Sequence, residues 1–509
     1  MLAVIAGNQL VSAEAPSTPE MTLRELGENP AATPFMYRFH RDHILGTSFD
    51  MVVIATSRDI AEAAEAASLA EIERLRAILS TYDATSELSR LNANGMLADV
   101  SPDLYRVLID CMKWQQRTQG AFNINVARMQ QIWRDAEAQD QLPDHAELRR
   151  LADAIERPTW RFAGSDRVQK LSDDAISIDA YAKGYIVQAA IDAARRQTFG
   201  IRGIMVSIGG DLAVWGSSSM AGHTPWRIAL ADPDESEDNA KPMMRIAVRS
   251  GAVATSAHYA RHYHIGGHDY SHLIDPRSGQ PVNEVASVTV VAGDAGEADA
   301  LATAVAVLGP AQGLRLIERT PGAECLIIGE DTAHHQSRGW ASIVIAEPRP
   351  QVEDADDATA TTNAWPAGFE VDIHLSVSNQ SKRGNWPFVA VWIEDAKGEL
   401  VRSLAQWGNE AKYVRHLKKY RRQLRESDGD HASSRASRAP GRYHLIWDGR
   451  DEQGNRVRQG VYVVRVESDR QNGKYEYESG KIKCLAEPDR ESFNAGGSVA
   501  SVSVQYGAK

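Results

Sequence analysis

Ile178-Asp179-Ala180-Tyr181-Ala182-Lys183-Gly184-Tyr185 reads as a short apolar strand running into a helix, with one lysine in the opening turns. Far along the chain, Ala298-Asp299-Ala300-Leu301-Ala302-Thr303-Ala304 is a second, apolar helix carrying one acid and one hydroxyl at i and i+4, on one face. A lysine, a carboxylate and a helix N-terminus together suit a magnesium-bound pyrophosphate. Taken singly, each feature has a plainer reading. Lysines are mostly solvated, and an acid near a helix start is favoured by the helix dipole alone.

The chain around these segments has 509 residues, too many for one core, so two or more domains are expected. Its 43% hydrophobic and 24% charged content is that of an ordinary globular protein. A net charge of −12 argues against a broad nucleic-acid surface. Cys111, Cys325 and Cys484 are far apart and offer no CxxC pair or disulfide framework. No uninterrupted apolar run approaches the roughly 18 residues of a membrane span. Residues 1–35 form a lead whose Ala13-Glu14-Ala15 resembles a cleavage site, but it lacks a basic n-region and makes a poor signal peptide.

Between residues 36 and 346, strands and helices interleave. Met51-Val52-Val53-Ile54-Ala55 is a β-branched apolar run, residues 59–81 have helical apolar spacing, and Ser101-Pro102 starts another helix. A break at Pro143 divides a helical stretch over 126–157. Ile208-Gly209-Gly210-Asp211 is a strand followed by a glycine turn that allows close backbone approach. A second helix is expected near 310–319, and strands at Cys325–Ile328 and Ser342–Ile345. No GxGxxG or GxxxxGK[ST] loop occurs.

His258, His262, His264, His268 and His272 crowd one stretch, after an acidic loop at Asp234–Asp238. Their spacing is not HExxH, so zinc is the less favoured reading, and His272 stands out as a candidate base. Tyr82 is either packing or a stacking surface for a planar ring.

Composition shifts at 347–367, an acidic, proline-bearing linker. Residues 368–487 then read as short strands and turns, a small β-sandwich-like domain, with a basic helix over 411–425 and a mobile stretch over 426–440. Residues 488–509 are expected to be a tail.

In this order, Leu45-Gly46-Thr47, Ser80-Thr81-Tyr82, Ser86-Glu87-Leu88-Ser89-Arg90-Leu91-Asn92, Gly120-Ala121-Phe122, Ala182-Lys183-Gly184-Tyr185, Gly209-Gly210-Asp211, Thr255-Ser256, His272-Leu273-Ile274-Asp275-Pro276 and the Asp299 segment resemble the FAD:protein FMN transferases of the ApbE family. The resemblance implies an α+β, mixed-sheet domain over 36–346. It also implies magnesium-dependent transfer of FMN from FAD to a Thr or Ser hydroxyl of an acceptor flavoprotein, with release of AMP. It places Ala180, Asp299 and Thr303 on the metal, and Leu45, Tyr82, Ala121, Phe122, Asn123, Ser177, Lys183 and Leu273 around FAD. His272 and Asp299 take the catalytic roles. Acids of the family pattern are replaced here by Asn123, Ser177 and Ala302, the last at an expected metal position. Those losses suggest one alternative, a FAD-binding protein with little or no transfer; a second is a FAD pyrophosphatase, with water replacing the acceptor hydroxyl.

Trp386-Pro387-Phe388, Gly441-Arg442-Tyr443, Trp447-Asp448-Gly449 and Gly460-Val461-Tyr462 resemble a periplasmic β-rich module, DUF2271. The module reads as a docking or positioning domain with its basic 411–425 stretch as a contact surface, and the family implies a periplasmic setting or one membrane-associated on the outer side. The sequence leaves a cytoplasmic one open.

Overall fold

The computed structural model describes residues 34–346, save 165, 198, 220–221, 234–241 and 258–261, and residues 364–508, save 367, 379–386, 408–416, 427–433, 436–440, 470–474 and 495–496. The expectations for the N-terminal lead, the acidic loop, His258, most of the linker, the start of the basic stretch and most of 426–440 lie outside the described residues.

The first domain is built on one eight-stranded sheet. Its strands are β1 (Phe35–Ile44), β2 (Thr47–Ala55), β3 (Ile201–Ile208), β4 (Asp211–Gly216), β5 (Gly251–Ala257), β6 (Val285–Ala292), β7 (Glu324–Gly329) and β8 (His334–Gln336), in that spatial order. The makeup is α+β as expected, and every pairing in this sheet is antiparallel. The strands are apolar on both faces because both faces are covered. Phe49, Met51 and Val53 of β2 point into the helical layer, and Val52 and Ile54 point to the other side. There they meet a hairpin, Trp226–Leu230 with Met244–Val248, and the buried Trp340.

The helical layer contains α1 (Arg58–Leu79), α2 (Pro102–Arg117), α4 (Asp179–Gln197) and α5 (Ala295–Glu318), while α3 (Ala127–Gln139) packs in a separate cluster with Leu148, Tyr263 and Ile265. Ser57 and Ser101 cap α1 and α2 with side-chain hydrogen bonds, and Asp294 accepts from the Glu297 N–H to cap α5. The helix expected near 310–319 is the second half of α5, which breaks at Gly309 (φ +70°) before Pro310. By length and hydropathy, 1.4, α5 would suit a membrane, but 56% of that window is enclosed within the fold. The strand expected at Ser342–Ile345 is not formed. Trp340–Ile343 make one helical turn, and what remains of the strand is one antiparallel bridge, Val344 with Ile246.

The second domain is a β-sandwich. One sheet has the order β12 (Gly441–Trp447), β9 (Phe369–Val377), β16 (Val499–Ala508), β15 (Asp489–Phe493). The other runs Ser434–Arg435, β11 (Leu400–Trp407), β10 (Phe388–Glu394), β13 (Gly460–Asp469), β14 (Glu476–Cys484). Trp365, assigned above to the linker, belongs to this core and packs edge-on to Trp447 and Tyr506. A side chain on Gly449 (φ +70°) would collide with the Trp365 ring, which explains the glycine in Trp447-Asp448-Gly449.

The basic stretch forms α6 (Lys418–Glu426). Leu417 and Tyr420 pack on Trp392, and the Glu467 carboxylate accepts the N–H groups of Lys419 and Tyr420 at 3.0 and 2.7 Å. A buried acid therefore caps the helix start, leaving Lys418, Lys419, Arg421 and Arg422 on the surface.

Within the expected tail, Asp489–Phe493 and Val499–Ala508 are strands. β16 pairs with both β9 and β15, placing Val502, Val504 and Tyr506 in the core. The alternation Val502-Ser503-Val504-Gln505-Tyr506 has the strand period of two. A chain ending at Glu487 loses these side chains and Val499, each worth about 1.5–3 kcal/mol on burial, against a domain total of about 5–15 kcal/mol. The second domain of that chain is expected not to fold. Urea unfolding should then lack its transition and retain that of the first domain.

Candidate functional site

α4 and α5 cross at Gly184. A Cβ there would lie 2.8 Å from Asp299 Cβ and closer still to the Ala295 carbonyl oxygen, so the crossing needs glycine. The Gly184 N–H donates to Asp299 Oδ2 at 3.0 Å. That N–H is the regular helical partner of the Ala180 carbonyl, so Asp299 competes with Ala180 for it.

Lys183, beside the crossing, reaches Asp211 Oδ2 at 2.7 Å. Asp211 begins β4 after the Gly209-Gly210 turn, and its side chain is 3% exposed. Two buried carboxylates, Asp211 and Asp299, thus share one lysine. Burial, then the Asp211 carboxylate, raise Asp299 to about 7 against the pull of Lys183. Burial likewise raises Asp211, with Lys183 opposing it. The cluster carries one more negative charge than it neutralises when both acids are ionised.

The start of α4 is held from two sides. The Asn92 side chain donates to the Ile176 carbonyl and accepts from its N–H, at 2.9 and 2.8 Å. The Ser177 N–H donates to the Ile124 carbonyl at 2.8 Å, and its hydroxyl donates to Asp179 at 3.3 Å. Asn123 Oδ1 accepts from the Asn125 N–H and side chain, which shapes the 123–125 turn. An amide oxygen thus does the accepting that a carboxylate would do in the same turn.

Tyr82 sits on a rigid loop. Ser80 Oγ accepts from the N–H groups of Tyr82 and Asp83, and Arg76 binds Asp83. The Tyr82 ring itself is 91% exposed. A fixed backbone carrying an unpacked ring is suited to stacking on a planar ligand.

These groups face one cavity of about 1460 Å³. Tyr82, Ala121, Asn123, Ser177, Ala180, Lys183, His272, Leu273, Asp299 and Thr303 all line it. Two expected residues do not. The Phe122 side chain is buried in the core, and Leu45 packs at the β1–β2 turn. Ala302 is also fully buried and does not line the cavity. On a helix, Thr303 lies roughly 40° from Asp299 and Ala302 roughly 60° the other way.

His262 also lines the cavity, from the hairpin His262–Ile265/His268–Ser271, while His264 is exposed and paired with Asp269 at 2.8 Å. Among the described residues no three His, Cys, Asp or Glu side chains converge as a metal cluster. Asp211 was read in the sequence only as part of a glycine turn. Its role as the partner of Lys183 depends on β3 and β4 lying beside α4, which no local pattern reports.

The sequence pattern of the ApbE family matches residues 45–327, more than half of the chain. The chain belongs to the ApbE family. Residues 370–501 match a second family, described as "Predicted periplasmic protein (DUF2271)". An FAD:protein FMN transferase of Vibrio cholerae is 31% identical over 267 residues, 51% of this chain and 78% of that protein. One from Escherichia coli is 30% identical over 268 residues, 50% and 73% of the two. Among solved structures, the ApbE protein of Thermotoga maritima aligns with a TM-score of 0.53 and 28% identity, covering 61% of this chain and all of its own. Every cavity residue named above lies inside the ApbE-matched span.

Gly184→Ala tests the crossing. Overpacking at a site that cannot relax costs about 1–3 kcal/mol. The free energy of unfolding, from urea titration, should fall by that amount, and ligand binding in the cavity should weaken with it.

Proposed function

We propose that this ApbE-family chain transfers FMN from FAD to a Thr or Ser hydroxyl of an acceptor flavoprotein. The names of the relatives support the donor and the reaction. The observation that carries the reading is Lys183 and the buried Asp299 on one wall of a cavity large enough for a dinucleotide, with Asp211 behind Lys183 and the exposed Tyr82 ring on the same cavity.

The residues present fit a magnesium ion. Asp299, Thr303 and the Ala180 carbonyl are hard oxygen donors, and the surplus negative charge of the Asp211–Asp299–Lys183 cluster wants a cation. When bound, such an ion would neutralise the pyrophosphate and stabilise charge on the departing phosphate. Lys183, aimed by Asp211, binds a phosphate oxygen. Tyr82 stacks on the flavin, and Asn123, Ser177 and Leu273 complete its surroundings. His272 takes the proton of the acceptor hydroxyl as its oxygen bonds to the FMN phosphorus. The bond from that phosphorus to the bridging oxygen breaks, and AMP leaves.

The acceptor, in this reading, belongs to an electron-transfer system outside the cytoplasm. The periplasmic description of the family that the second domain matches supports the compartment, and the rigid basic face of α6 supports a protein contact.

The test is incubation of the full chain with FAD, magnesium and a panel of flavin-free flavoprotein domains, followed by in-gel flavin fluorescence. Covalent FMN on a domain is expected. Free FMN and AMP without labelling would mean a pyrophosphatase, and unchanged FAD a binding protein. Asp299→Ala should lower magnesium-dependent transfer about 100-fold or more, and His272→Ala about 10²–10⁴-fold. Unchanged transfer in Asp299→Ala would rule out the metal assignment.

Metal binding is also expected to depend on pH. A raised Asp299 stays protonated below about 7, and a metal must displace that proton. Magnesium affinity, measured by calorimetry, should fall by up to about tenfold per unit as pH drops below 7, with proton release on binding.

A further inference from the structure

Asp179 is the first residue of α4, and it lines the large cavity. It directly precedes Ala180, whose carbonyl is one of the oxygen donors for the metal. It also stands four residues before Lys183, on the same face of the helix. Lys183, Asp299 and Thr303 line the same cavity. The Asp179 side chain is exposed there, within reach of water, and the Ser177 hydroxyl donates to its Oδ2 at 3.3 Å.

Its charge is felt at the helix crossing. Burial and the Asp211 carboxylate do most to raise Asp299, and the Asp179 carboxylate adds to them. The family pattern has an acid at 177, where this chain has serine. Here a carboxylate stands two residues later, and the contact between the two side chains brings both to one part of the cavity.

The helix dipole by itself favours an acid at this position. It does not require that the acid share a cavity with Lys183 and Asp299, nor that a hydroxyl hold it. Magnesium bound by a few protein oxygens keeps several waters, and those waters are donors that need acceptors. Asp299 is the one carboxylate among the donors assigned above, so water has much of the ion's surroundings to fill. Groups that hold the ligands of a metal from outside are worth about 10–100-fold in its affinity.

We infer that Asp179 is a positioning residue for the magnesium ion, accepting hydrogen bonds from its water ligands while the Ser177 hydroxyl holds the carboxylate in place. This rests on the metal reading above. It gives the first turn of α4 two tasks at the ion, one for the Ala180 carbonyl and one for the Asp179 side chain.

The experiment titrates magnesium chloride into the full chain, without FAD, by calorimetry. Asp179→Asn removes the charge and keeps the shape, and Asp179→Ser keeps a residue type favoured at helix starts. Each is expected to raise the Kd for magnesium about tenfold or more, with the urea transition of the first domain unchanged. The Kd for FAD without magnesium, read by flavin fluorescence, should not rise. Ser177→Asp added to Asp179→Ser returns a carboxylate to the same part of the cavity and should recover most of the lost magnesium affinity. Asp173→Asn removes an exposed acid outside the cavity and should leave it unchanged. An unchanged magnesium Kd in both Asp179 variants overturns the inference and leaves the metal assignment at Asp299 standing. An equal loss in Asp173→Asn, or no recovery with Ser177→Asp, overturns it in the same way. Weaker FAD binding without magnesium in the Asp179 variants also overturns it, since Asp179 would then hold FAD itself. Failure of the parent chain to bind magnesium overturns both.

Discussion

The crossing of α4 and α5 at Gly184 is the constraint on which the site depends. Two helices approach closely only where one lacks a side chain, and here the residue without one also supplies the N–H that holds Asp299. A wider crossing would move Asp299 away from α4 and separate it from Ala180 and Lys183. Both helices lie on the same face of the antiparallel sheet, whose apolar strands fix their height. The core therefore sets the spacing of the polar groups.

Charge balance supplies the second constraint. Asp299 and Asp211 are each more than nine-tenths buried, with one lysine between them. Burying unneutralised charge is costly, and the site relieves it by raising the affinity of Asp299 for a proton.

The loops around the cavity are ordered by short polar contacts. Ser80 and Asp83 fix the backbone under Tyr82, and Asn92 clamps Ile176 before α4 begins. Each supporting contact uses a residue type common in turns. The motif around Ser86–Asn92 thus carries structural information as well as family likeness: its last residue positions the irregular segment, expected as a strand, that leads through Ser177 into α4.

Much was legible from the sequence. Strand and helix periods located both domains, and the lysine and Asp–Thr segments identified one cavity wall. The alternating pattern of 502–506 was also present and was passed over as a tail, because a single short strand reads weakly without its neighbours. Three things were decided only by the tertiary structure. Asp211 became the partner of Lys183 because β4 lies beside α4. Phe122, Leu45 and Ala302 fell outside the cavity because backbone direction, which no residue type states, decides where a side chain goes. Gly184 gained its meaning from a helix more than a hundred residues away. Local sequence determined which elements form and which chemistry each carries. Close packing of distant elements determined which of those groups meet, since contact distance is a property of the folded core and not of spacing along the chain.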